Sequence, residues 1–174
     1  MSVPKIAING FGRIGRIVTR IAKMRRHFDV VAINDLSDPE HLAYLFKYDS
    51  VHGMYPGDVR IDGNRMIIDD DPFQVLSEKD PTKLPWRELG VDYVIESTGK
   101  FLKLAELEHH LEAGAKRVIV TVPTNDYLES TVVLGVSDYF VTKDTRIISN
   151  ASCTTNCAAP VLGCVSNLRR SAQS

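Results

Sequence analysis

Between Lys5 and Asp35 the chain sets out a strand, a glycine loop, a helix, a second strand and an acidic residue, in that order. Lys5-Ile6-Ala7-Ile8-Asn9 is a short apolar run of the kind that fills a buried strand. Gly10-Phe11-Gly12-Arg13-Ile14-Gly15 follows at once. A helical periodicity after it places Ile14, Val18, Ile21 and Ala22 on one face. The second apolar run, Val30-Val31-Ala32-Ile33-Asn34, ends in Asp35, 20 residues after Gly15. Order and length together match the dinucleotide-binding fingerprint. The residue types have a chemical reason. Gly10 permits the tight turn, Gly12 lets backbone approach a pyrophosphate, and Gly15 lets helix pack on strand. Free N–H groups and the helix dipole then hold the anion.

The rest of the chain supports an α/β fold. Asp38-Pro39-Glu40 reads as a helix start, with Asp38 as N-cap, Pro39 at the first helical position, and Leu42, Leu45 and Phe46 on the apolar face up to about Tyr48. Val59-Arg60-Ile61 and Met66-Ile67-Ile68 flank Asp62-Gly63 as a hairpin, and Phe73 to Leu76 follows an aspartate-rich turn. This is expected to be a small antiparallel meander inserted between parallel strands. The three aspartates of that turn lack the rest of a calcium-loop pattern and read as a solvated turn. Pro81 to Gly90 is a connector with a helical turn around Trp86. Tyr93 to Glu96 and Arg117 to Val122 are further strands, and Thr131 to Val136 and Arg146 to Ser149 are candidates. A helix from about Leu102 to Ala113 buries Leu104, Leu107 and Leu111, stops at Gly114, and carries His109 and His110, expected to be exposed. Adjacent helical residues diverge, so those two histidines do not share a metal, and no metal site is expected. Alternating strands and helices predict a doubly wound, Rossmann-type, mostly parallel sheet.

Ser149-Asn150-Ala151-Ser152-Cys153-Thr154-Thr155-Asn156-Cys157 is the second informative run. A strand ends at Ser149, and a helix begins near Cys153 with Ala158, Val161, Leu162, Val165 and Leu168 as its apolar stripe. Cys153 is thus expected at a helix N-terminus on the carboxyl edge of the sheet, where this fold presents ligands. That position favours the thiolate, which is the nucleophile. Thr154, Thr155 and free backbone N–H groups could receive a phosphate or an oxyanion. A small buried cysteine with Ser and Thr capping the helix is the alternative reading of the same residues. Cys157 and Cys164 are expected to pack on the buried side.

Bulk composition narrows the classes. The 174 residues are enough for a good core, and 44% hydrophobic with 25% charged is ordinary for a globular protein. Lys plus Arg (21) balances Asp plus Glu (22), so no nucleic acid or anionic membrane surface is indicated. No apolar run approaches the ~20 residues a bilayer span needs. The start of the sequence runs directly into the first strand, so no signal peptide is expected. The odd set Cys153, Cys157 and Cys164 does not look like a disulfide framework, and a cytoplasmic location is expected.

Taken together, these motifs closely resemble the N-terminal half of the glyceraldehyde-3-phosphate dehydrogenases of the phosphorylating type. The matching runs are Ala7 through Arg16, Ile33-Asn34-Asp35-Leu36, Lys47 through Gly53, Glu96-Ser97-Thr98-Gly99 and Ser149 through Cys157, in the family's order over about residues 5 to 160. The resemblance implies an NAD-binding domain over residues 1–152, followed from 153 to 174 by the cysteine helix and a divergent tail. It implies NAD as cofactor, with Arg13 and Ile14 at the pyrophosphate, Asp35 at the adenosine ribose, and Asn9, Gly10, Gly12, Gly15, Thr98 and Gly99 in the same site. Lys79 stands where the family has an arginine at the adenine side, and keeps the charge without the planar fork. Thr121, near the nicotinamide, replaces a serine. Cys153 is implied as the nucleophile that forms a thiohemiacetal and then a thioester opened by inorganic phosphate. Ser152 and Thr154 are implied as contacts to glyceraldehyde 3-phosphate and the incoming phosphate.

In the family a second domain supplies the general-base histidine, and the members assemble as tetramers. The five histidines here, His27, His41, His52, His109 and His110, all precede Cys153, and none fits the base motif. The resemblance therefore leaves two functional classes, a glycolytic oxidoreductase acting through Cys153 and a non-catalytic NAD-binding fragment. An erythrose-4-phosphate dehydrogenase relative shares the cysteine motif. The 174 residues alone are expected to be inactive or severely impaired, and the stripe after Val161 to self-associate if uncovered.

Overall fold

A computed structural model describes residues 3–126, 128 and 130–171. Its centre is one eight-stranded sheet. In chain order the elements are β1 (Lys5–Asn9), α1 (Arg13–Arg25), β2 (Asp29–Asn34), α2 (Pro39–Lys47), β3 (Tyr48–Asp49), β4 (Gly53–Met54), β5 (Val59–Asp62), β6 (Arg65–Ile68), β7 (Asp71–Leu76), α3 (Trp86–Leu89), β8 (Tyr93–Glu96), α4 (Leu104–Glu112), β9 (Arg117–Val120), β10 (Ile147–Ser149) and α5 (Cys153–Ser171). Short 3-10 turns cover Pro81–Lys83 and Asp138–Phe140. The sheet order is β10-β9-β8-β1-β2-β7-β6-β5. The six strands β7-β2-β1-β8-β9-β10 are mutually parallel and wind outward in both directions from β1, as a Rossmann sheet does. β5 and β6 pair antiparallel and extend the same sheet past β7. The expected meander therefore follows β2 in sequence but lies at a sheet edge, with its last strand joining the parallel set. β3 and β4 form a separate two-stranded ribbon.

Three apolar clusters hold the layers. Ile6, Ile8, Phe11, Ala22, Ile33, Leu42, Phe46, Met66 and Phe73 fill the side of the sheet under α1 and α2. Ala7, Ala32, Leu84, Trp86 and Val94 fill the other side. Leu107, Val118, Val120 and Ile147 form the third cluster, beneath α4. Strand periodicity explains the split, since alternate side chains of β1 point to opposite faces.

A register shift between Ile6/Ala7 of β1 and their partners in β2 breaks that periodicity at one place. Ile6 pairs with Val30 but Ala7 pairs with Ala32, so β2 carries one extra residue at Val31. The bulge turns Ala32 and Asn34 to the Trp86 side. Without it they would face α1 and α2.

Several expectations are corrected. The packed face of α1 is Gly15, Val18, Thr19 and Ala22, while Ile14 and Ile21 are exposed. Contact at Gly15 sets the helix rotation, and the stripe through it misses those two isoleucines. Thr131 to Val136 is not a strand. Thr131 makes one isolated bridge to Ser149, and Val136 and Ser137 donate back to the Val133 carbonyl in a turn. His110 is fully buried rather than exposed, and α4 starts at Leu104 rather than Leu102. Cys157 and Cys164 are exposed, as are Val161 (61%) and Leu162 (66%), because α5 leaves the body of the sheet after its first turn. The side chain of Leu168 lies outside the described residues. The turn before β7 behaves as a solvated one in part, with Asp69 also accepting from the Tyr55 hydroxyl at 2.5 Å and from the Asp58 N–H at 3.0 Å. No described helix is long and apolar enough to cross a membrane.

Candidate functional site

Backbone geometry at the end of β1 builds a cleft. Gly10 has φ +91, and a Cβ there would stand 2.7 Å from the Thr98 nitrogen. A Cβ at Gly15 would stand 2.3 Å from the Gly10 carbonyl oxygen. Both glycines are therefore required by the chain's own packing. Gly12 differs, since a Cβ on it would meet nothing within 4 Å. It is the N-cap of α1, it makes no side-chain cap, and no acidic residue occupies the first turn. The positive end of α1 thus faces open space with its N–H groups free for an anion.

A cleft of ≈ 660 Å³ opens there, lined among others by Asn9, Gly10, Gly12, Asp35, Lys79 and Thr98. Six of the expected cofactor residues are thus brought together. The cleft also gains Asn34, Leu36, Ser37, Glu78, Ser97, Lys100 and Phe101. Asp35 is held by backbone. Its Oδ2 accepts from the Phe11 N–H at 2.8 Å and its Oδ1 from the Ser37 N–H at 3.0 Å. Partial burial pushes its carboxyl up, but the N–H bonds from Ser37 and Phe11 outweigh that and leave it below an ordinary aspartate. An ionised carboxylate at this edge suits a ribose diol and repels a phosphate on the same ring.

Arg13 and Ile14 form the exposed first turn of α1, and Gly15 lies behind them against β1. Gly99 (φ +69) follows Thr98 at the cleft margin. Thr121 does not line the cleft, and its hydroxyl donates to the Glu96 carbonyl at 3.1 Å.

The floor is a buried polar row that sequence reasoning missed. Asn34, Asn9 and Glu96 end three adjacent strands in matching register, Asn9 opposite Asn34 and opposite Glu96. The Asn34 amide donates to Asn9 Oδ1 at 2.7 Å, and the Asn9 amide donates to Glu96 Oε2 at 2.6 Å. Asn34 also exchanges two hydrogen bonds with the Glu78 backbone, donating to its carbonyl at 2.9 Å and accepting from its N–H at 2.8 Å. Glu96 Oε1 accepts from the Thr98 N–H at 2.8 Å and from its hydroxyl at 2.5 Å. His110 Nε2 lies 3.0 Å from Glu96 Oε2, and Trp86 Nε1 donates to His110 Nδ1 at 3.1 Å. Ser97 pins the loop from the other side, its hydroxyl bonding the Gly10 carbonyl at 2.6 Å. One signal was available. His110 lies three residues after Leu107, on the stripe that α4 buries.

Cys153 opens α5, as expected, and is exposed. Ala151 precedes it in a left-handed conformation, φ 56, a backbone state costly for a non-glycine residue. The Ser152 hydroxyl accepts from the Thr155 N–H at 2.9 Å and so caps the helix. It also lies 2.9 Å from the Thr154 hydroxyl and 2.6 Å from that of Thr155. The Asn156 amide clamps the turn by donating to the Asn150 and Ser152 carbonyls at 2.7 and 3.0 Å. Ser152, Cys153 and Thr154 are therefore together, but not in the cleft. They follow β10, three strands from β1 on the same carboxyl edge.

Residues 4–104 match the family model described as the glyceraldehyde 3-phosphate dehydrogenase NAD binding domain. A glyceraldehyde-3-phosphate dehydrogenase of Thermotoga maritima is 52% identical over 160 residues, covering 91% of this chain and 48% of the relative. One of Debaryomyces hansenii is 51% identical over 157 residues, 90% of this chain and 46% of the relative. One of Wickerhamomyces ciferrii is 48% identical over 163 residues, 93% of this chain and 48% of the relative. The chain spans about half the length of the curated relatives it matches. It belongs to the glyceraldehyde-3-phosphate dehydrogenase family, and its cleft is in the family's NAD-binding domain.

Proposed function

We propose that the chain carries the NAD site and the nucleophile of a phosphorylating glyceraldehyde-3-phosphate dehydrogenase, cytoplasmic and acting on glyceraldehyde 3-phosphate and inorganic phosphate. The observation that carries this is the free amino end of α1 over an open Gly12, with the Asp35 carboxylate in the same cleft. The diphosphate of the cofactor would sit against Gly12, Arg13 and Ile14. Asp35 would accept the adenosine ribose hydroxyls, Lys79 would face the adenine side, and Asn9, Gly10, Gly15, Thr98 and Gly99 would shape the wall. Thr121 would act through the backbone near the nicotinamide. Bound NAD supplies the hydride acceptor.

The residues around Cys153 suit acyl chemistry. The sulfur sits exposed at the amino end of a long helix, where it can attack an aldehyde carbon and hold the resulting thiohemiacetal and thioester. Ser152 and Thr154 present hydroxyls beside it for the substrate and the incoming phosphate. We assign residues 1–152 to the NAD-binding unit and 153–174 to the start of the part that handles the aldehyde. The exposed stripe of Val161, Leu162 and Val165 suits contact with further protein, including other copies in a tetramer.

One observation favours a binding role for the 174 residues taken alone. Of the five histidines, His110 has both ring nitrogens engaged, with Trp86 and Glu96, so it is not free to serve Cys153 as a base. An absent acid–base typically forfeits about 10²–10⁴-fold in rate. The deciding assay follows NADH formation by the purified chain with NAD, phosphate and glyceraldehyde 3-phosphate, against erythrose 4-phosphate as competitor substrate. NAD binding with at most trace turnover that Cys153→Ser abolishes is the expected result. A chain that binds no NAD would overturn the proposal.

A further inference from the structure

In the buried row beneath the cleft the hydrogen bonds run in a fixed direction from both ends toward Glu96. At one end the peptide N–H and C=O of Glu78 fix the Asn34 amide, because an amide turned over would set donor against donor and acceptor against acceptor. Asn34 then presents a donor to Asn9, which must accept with Oδ1 and donate onward to Glu96. At the other end the Trp86 indole can only donate. His110 Nδ1 therefore accepts, and Nε2 carries the hydrogen that points at Glu96. Thr98 adds its N–H and its hydroxyl, whose oxygen already accepts from the Lys100 N–H at 3.1 Å. Four donors converge on one carboxylate, and three of them, the Asn9 amide, His110 Nε2–H and the Thr98 N–H, cannot be turned round.

From this geometry we propose that Glu96 is the positioning residue of the cofactor cleft, acting as an obligatory acceptor that locks three lining segments into one shape. It ties Asn9 at the end of β1 to Thr98 after β8, and through Asn34 it reaches Glu78 and Lys79 after β7. Glu96 itself is 1% exposed and does not line the cleft, so its action on a ligand passes through Asn9 and Thr98. With His110 holding one hydrogen, the Glu96–His110 contact is a hydrogen bond between a carboxylate and an imidazole. The four donors replace the water the anion has lost. The inference rests on the cleft being the NAD site.

The test uses variants of the full chain, with NAD affinity by titration calorimetry and unfolding by heat, the titrations made well below each Tm. Glu96→Gln keeps size and shape but sets an NH₂ against the Thr98 N–H in one orientation and against the Asn9 amide and His110 Nε2–H in the other. NAD affinity should fall roughly tenfold or more, since buried groups left unpaired cost about that much. Glu96→Asp remains acceptor-only and should recover most of the affinity, even though its shorter side chain lowers Tm. His110→Met removes one donor and should weaken binding a few-fold, while His110→Gln, able to accept from Trp86 and donate to Glu96, should hold it. That pair decides the matter if Glu96→Gln does not fold. Affinity that follows Tm instead of acceptor chemistry, or a Glu96→Gln chain that binds NAD like the parent, would overturn the inference alone. A parent chain without NAD binding would overturn the cleft assignment as well.

Discussion

The cofactor cleft and the cysteine turn share one edge of the sheet, yet they are held in different ways. Cleft residues are tied by hydrogen bonds that span the sequence, such as Asn9 to Glu96 and Asn34 to Glu78, and these bonds are buried or partly buried. The cysteine turn is tied mostly to itself, with one bond, from the Asn150 N–H to the Val120 carbonyl at 2.9 Å, reaching the neighbouring strand. Ser152 caps Thr155, and Asn156 reaches no farther than Asn150, with Cys153 in solvent above them. The cleft's shape is thus a property of the whole core, whereas that of the cysteine turn is set mainly within the seven residues from Asn150 to Asn156. Damage should spread from the first and stay local in the second.

Three substitutions sharpen this contrast. Gly10→Ala should act most strongly, because both its φ and the approach of Thr98 oppose a Cβ. A loss of about 3 kcal/mol, or roughly 10 °C in Tm, is expected together with loss of measurable NAD binding. Calorimetry and thermal unfolding check both, and a stable chain that still binds NAD would show the loop to be independent of the core. Asp35→Ala comes next. NAD affinity should fall about tenfold or more, NADP affinity should change less, and competition titration measures the ratio. Because the Asp35 value in the folded chain lies below that of a free aspartate, its contribution is complete above the ordinary value. It is lost only as pH falls through the lower, folded one. The preference for NAD should accordingly persist through mildly acid pH. Ser152→Ala is the smallest. It removes a cap worth about 1 kcal/mol, so amide exchange at Thr155 should quicken roughly fivefold with Tm little changed.

The same contrast explains which features the sequence reveals. The Lys5 to Asp35 unit was legible because its signals are local, with glycines at fixed offsets, a 3.6 period, and an acidic residue at the right distance. The start of α5 at Cys153 and the Asp38 cap, which accepts from the His41 N–H, were legible for the same reason. The floor was not. Its members lie far apart in sequence, 87 residues separating Asn9 from Glu96 and 44 separating Asn34 from Glu78. His110 was misplaced on the surface because its burial is set by Trp86 and Glu96, neither of them on its own helix. Thr131 to Val136 has the β-branched residues of a strand, but Ser149 offers it only a single bridge. The burial expected for Cys157 and Cys164 assumed a covered helix, and α5 is uncovered in the 174 residues.

The extra residue at Val31 has a consequence for anyone wishing to transplant this site. Loop, helix and Asp35 form a compact cassette that invites grafting onto another parallel sheet. A recipient whose second strand runs without the bulge would accept the glycines and the acidic residue while turning Asn34 toward the wrong layer. The cassette would then have a rim and no foundation. Portability would require the irregular strand to travel with the loop, along with a neighbouring strand ending in a carboxylate to meet it.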